Sequence, residues 1–112
     1  MFNTEEEVID YCKYIIQCLA DNKYKELESK GILETVSEID IKRVINEYAE
    51  DSRITVPADD QYMGRIDIFK YNDNTGYAVD IDIYLNNELS DLTLQVEILY
   101  SGKVTIEDLH VL

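Results

Sequence analysis

Two aspartates one residue apart, Asp80 and Asp82 in YAVDIDIYL (residues 77–85), are the side chains whose type and spacing come nearest to doing chemistry. On a strand they project from the same face about 7 Å apart, because side chains alternate with period two. As metal ligands they supply only two carboxylates, whereas calcium takes about six to eight oxygens and magnesium uses one or two carboxylates beside a phosphate. As an acid–base pair they need one member desolvated enough to raise its pKa, and the alternating pattern provides no such pocket. As part of a wet acidic face they need only solvent. That last reading asks least of the sequence.

Other reactive groups are sparse. His110, in DLHVL, is the only histidine, so no histidine-based metal triad forms within one chain. A Cys–His pair with Cys12 or Cys18 requires the last strand to lie beneath the first helix, and a hydrogen-bonded structural histidine is the simpler expectation. The two cysteines lie six residues apart on an expected helix, roughly 240° around its axis, so they are read as buried thiols rather than a disulfide or metal site. In YNDNTGY, Asn72, Asn74 and Gly76 faintly resemble a calcium loop, but the distal bidentate glutamate is missing and a hairpin turn is expected. There is no Gly-rich phosphate loop, G-x-S-x-G, H-E-x-x-H or CxxC pair. No metal or cofactor is expected.

The elements that position these groups follow from periodicity. Thr4 opens a T-E-E-E capping pattern, and Val8, Cys12, Ile15, Ile16 and Leu19 recur at helical spacing, which predicts a helix near 4–20. Asp21 or Asn22 is expected to cap a short second helix ended by Gly31 as a left-handed residue. Ser37 with Asp40 caps a third, whose stripe is Ile41, Val44, Ile45 and Tyr48. Arg53 to Val56 is a short strand, and ADDQYMG at 58–64 a loop. Strands then run through Ile66–Ile68, Val79–Ile83, Leu92–Ile98 and Val104–Ile106, joined by NDNTG, LNNELSD and Ser101-Gly102. The apolar phase changes between Ile106 and Leu109, which predicts a bulge at Glu107-Asp108.

These elements predict an α+β fold of 1–112 as one domain: three N-terminal helices packed on one face of a curved antiparallel meander sheet of four to five strands. If Ile66 opposes Ile81 and Ile81 opposes Val96, the outward row contains Asp67, Asp80 and Glu97, with Asp82 beside Gln95. Like charges in such a row cost stability, so they reflect either solvation or selection for a partner.

Ten basic against 24 acidic side chains give a net charge of −14. That excludes unaided nucleic-acid binding and disfavours an anionic membrane surface, since both need Lys and Arg on the protein. It leaves solubility, the simpler account on charge alone, and attraction to a basic protein partner. MFNTEEEVIDY carries acids where a signal peptide needs positive charge, and no apolar run nears the roughly 20 residues of a membrane span, so a cytoplasmic protein is expected.

EEVIDYCKYIIQCLADNKYKELESKGIL resembles the opening helix pair of the NTF2-like, or cystatin-like, fold. With GYAVDIDIY, SDLTLQVEI and the closing IEDLHVL, the whole chain looks like a family of small acidic bacterial proteins of unknown function. The resemblance implies kinship with isomerases, dehydratases, polyketide cyclases and immunity proteins of polymorphic toxin systems. Enzymes of the fold typically use an Asp–His pair within the cone, and that activity is not carried over to a chain whose aspartates alternate away from the apolar face. Fold alone does not settle function.

Two readings follow. In one, a non-catalytic immunity or inhibitor protein occludes a basic toxin domain through Asp67, Asp80, Asp82, Tyr84 and Glu97. In the other, a small-molecule-binding protein or enzyme uses a pocket between helices and sheet lined by Tyr11, Tyr14, Tyr48, Tyr100 and His110. The oligomeric state is not legible.

Overall fold

Helix α1 (Glu5–Ala20) starts at Thr4, whose hydroxyl accepts the Glu7 N–H at 3.2 Å. The Glu7 carboxylate reaches back to the Asn3 N–H, also at 3.2 Å, which ties the residue before the cap to the first turn of the helix. Three glutamates in that turn oppose the positive end of the helix dipole. The computed structural model to which this helix belongs describes residues 2–58, 60, 62 and 65–112. The loop expected at 58–64 therefore lies largely outside the described residues.

Helix α2 (Tyr24–Ser29) departs from expectation at its start, because Lys23 occupies the N-cap and makes no side-chain cap. Asp21 and Asn22 serve the preceding helix instead. The Asp21 N–H bonds to Gln17 O at 3.0 Å, and Asn22 takes a left-handed φ of 58° that reverses the chain. Two helices this close leave no residue free for an independent cap. At the other end Gly31, with φ 77°, supplies the left-handed residue as expected. Its N–H bonds to Glu28 O and that of Ile32 to Leu27 O, both at 3.0 Å, which is the paired closure of a Schellman motif. Helix α3 (Glu38–Tyr48) carries the full Ser37/Asp40 capping box.

The sheet is antiparallel and curled, with β1 (Ile54–Thr55), β2 (Ile66–Lys70), β3 (Gly76–Leu85), β4 (Glu88–Leu99) and β5 (Val104–Val111). Its order is β1-β3-β4-β5, with β2 also on β3. Strand β1 meets Tyr84 and Leu85, whereas β2 meets Tyr77 to Ile81, so β1 and β2 lie end to end along one edge. Ile66 opposes Ile81 as expected, but Ile81 opposes Leu94 rather than Val96.

The cause of that shift is the turn. LNNELSD is not a long connection: Asn86 and Asn87, with φ of 50° and 67°, form a two-residue turn of the kind that matches strand twist, and β4 resumes at Glu88. The two extra residues of β4 are absorbed opposite Ile83, between Leu89 and Thr93. There the Ser90 hydroxyl donates to Ile83 O at 2.6 Å and accepts the Leu92 N–H at 3.2 Å. An even insertion keeps both faces in phase. The second irregularity is the expected one: Val96 pairs with Ile106 but Gln95 with Asp108, leaving Glu107 as the extra residue that returns Leu109 to the core.

One buried cluster joins both halves of the chain. Ile15, Leu27, Ile32 and Ile41 from the helical half meet Ile81, Leu94, Ile98 and Ile106 from the sheet. The space between helices and sheet is thus filled by aliphatic side chains, each stabilising the fold by about 1.5–3 kcal/mol when fully buried. The Ile106 N–H also bonds to Ile32 O at 2.9 Å, tying β5 to the segment after α2. Among the described residues no helix is long and apolar enough to cross a membrane.

Candidate functional site: the acidic outer face of the sheet

With the helices on one face, alternation delivers the polar residues of β2 to β5 to the other. Its central row runs Asp67, Asp80, Gln95, Asp108 across four strands. Asp67 and Asp80 are direct register partners, an arrangement that sets two carboxylates against each other. Asp80 is steadied from its other side by Gln95 Nε2, which donates to Oδ1 at 3.2 Å.

A flanking row runs Asp82, Thr93, His110. The Asp82 N–H bonds to Arg65 O at 2.9 Å, and the Arg65 guanidinium comes within 3.6 Å of the Asp82 carboxylate. Among the described residues Arg65 is the Lys or Arg that forms an ion pair with a carboxylate of this face. Both partners of that ion pair are more than a third exposed, so its net contribution is about 0–1 kcal/mol. His110 Nδ1 lies 3.0 Å from Asp108 Oδ2 without the alignment of a hydrogen bond.

The opposite flank runs Phe69, Ala78, Glu97, Thr105. Tyr71, just past β2, donates its hydroxyl to Glu97 at 2.8 Å. Burial first and the Glu97 carboxylate second push the Tyr71 phenol up to about 12, so it remains a donor across the physiological range. Phe69 is 54% exposed and places an aromatic ring beside the acids.

All five residues expected to meet a partner lie on this face. Asp67, Asp80 and Asp82 are neighbours, Tyr84 lies one outward position beyond Asp82 opposite Leu89, and Glu97 stands opposite Ala78 rather than in the Asp67 row. Gln95, Asp108, Arg65 and Tyr71 complete the surface. The bulge at Glu107 is the signal that carries Asp108 to it, whereas the Gln95 position depends on the Asn86-Asn87 turn.

The five pocket candidates do not converge. Tyr11 and Tyr14 pack edge to face on α1 at 5.4 Å, Tyr100 packs the same way on Tyr77, and the Tyr48 hydroxyl accepts the Asp91 N–H at 3.0 Å. His110 is on the outer face. The Tyr14 hydroxyl donates to Glu26, holding that carboxyl below the usual range, and Cys18 Sγ is 3.6 Å from the same carboxylate. Both cysteines are free, and burial pushes the Cys12 thiol up to about 12. Among the described residues no three carboxylate, imidazole or thiol groups gather as a metal site.

The outer face can therefore offer carboxylates, amide and phenol groups and one aromatic ring to a cationic surface. A family model described as a domain of unknown function, DUF7668, matches residues 16–112. No curated protein and no solved structure matches the chain.

Proposed function

The chain belongs to that family of unknown function, and from the geometry of the sheet we propose that it is a non-catalytic cytoplasmic binding protein that occludes a basic protein domain with its acidic outer face. The most concrete form is an immunity protein neutralising a toxin domain, in keeping with the resemblance to NTF2-like immunity proteins. The observation that carries the reading is the directly opposed Asp67–Asp80 pair, flanked by Asp82, Asp108 and Glu97, with Arg65 paired to Asp82. Opposed like charges cost a sheet stability, and a cationic partner converts that cost into complementarity. The net charge of −14 adds long-range steering toward the same class of partner.

The test is capture from a lysate of the source organism at low salt, run beside the Asp67→Asn/Asp80→Asn double variant and followed by a salt gradient. One basic protein, retained by the native chain, released by salt and lost with the double variant, is expected. Recovery of the same proteins by both chains, or of nothing above background, contradicts the proposal.

A further inference from the structure

Away from the acidic face, a cleft of about 370 Å³ opens where the end of α1, the start of α2, α3 and β1 meet. Its apolar wall is Leu19, Ile45 and Ile54, all nearly buried, and its rim carries Tyr24, Lys42 and Arg53. In a chain with ten basic residues against 24 acidic ones, two cations and no carboxylate line this cleft. Lys42 is already shared, 2.7 Å from Glu38 and 5.0 Å above the Tyr24 ring. The Arg53 guanidinium has no ion-pair partner among the described residues, while its backbone N–H is fixed to Asn86 Oδ1 at 3.2 Å. The amides of Asn22 and Asn46 add polar groups at the same mouth.

We propose that this cleft binds a small organic monocarboxylate with an apolar body. A volume in the lower part of the usual range for ligand sites, about 300–1,000 Å³, suits a small molecule rather than a peptide. The aliphatic wall demands an apolar body, and a planar guanidinium matches a carboxylate in a two-point hydrogen-bonded pair. One unshared cation and one already bridged balance a single negative charge better than the two of a phosphate monoester. The overall negative charge does not forbid this, because repulsion from acids farther than about 8 Å is largely screened at physiological ionic strength.

Benzoate is the probe and benzamide its neutral counterpart, titrated into the uniformly 15N-labelled chain while amide shifts are followed. Saturable shifts confined to Asn22, Tyr24, Asn46 and Arg53 are expected with benzoate. Loss of a charge-assisted hydrogen bond predicts at least about tenfold weaker binding both for benzamide and for benzoate to Arg53→Gln. Unchanged amide shifts outside the cleft certify that the variant is folded. Equal binding of benzamide, unchanged affinity in Arg53→Gln, or scattered and non-saturating shifts would overturn the assignment. Because these readouts lie on the helix side, they are independent of whether the acidic face binds a protein.

Discussion

Asp67 and Asp80 face each other across β2 and β3, and the fold gains nothing from that repulsion. Replacing Asp67 with asparagine keeps its shape and removes one charge. Asp67→Asn is therefore expected to stabilise the isolated chain by about 0.2–1 kcal/mol, read as a higher urea midpoint at unchanged slope. A lower midpoint would mean that the carboxylate has a structural role. Cys12 gives a second prediction at this scale. Burial holds its pKa near 12, well above that of an unfolded thiol, so the neutral form is the native one. The associated stability is complete below the unfolded thiol pKa and is lost as pH rises toward the folded value. Labelling of Cys12 by a thiol reagent at pH 8 should then follow the rate of unfolding. Rapid labelling of the folded chain would show that the α1 core opens locally.

The elements explain which of these residues were legible beforehand. Thr4 and Ser37 are caps whose partners lie three residues on, so local spacing is enough to find them. Gly31 and the phase change at Glu107 are also local signals, and both fall where expected. The pairing of Ile81 with Leu94 is not local. It follows from the positive φ at both Asn86 and Asn87 and from the Ser90 side chain filling the irregularity opposite Ile83, neither of which apolar alternation reveals. The misplacement of Glu97 follows directly from that. Gly76 belongs to the same class, since an added Cβ would lie 2.3 Å from Ile98 O and 2.7 Å from Leu99 Cα. No flexible side chain is there to yield. Gly76→Ala should destabilise the β3–β4 pair by about 1–3 kcal/mol, measured by thermal or urea unfolding, and a neutral effect would show that the strands separate readily at that end.

At the scale of the whole molecule, helices and sheet share one aliphatic core, so the chain presents two chemically different surfaces. One is the acidic sheet face. The other carries the small cation-rimmed cleft between α1, α2, α3 and β1. The separation lets charge on the outer face change without disturbing the packing beneath it, and this makes the central claim open to a kinetic test. The decisive measurement is the association rate of the captured basic partner with the native chain and with Asp67→Asn/Asp80→Asn, across a series of salt concentrations. Electrostatic steering predicts association slowed by about tenfold in the double variant at low salt, and a shallower salt dependence. Identical rates and slopes for the two proteins would contradict the assignment of the acidic face as the binding surface.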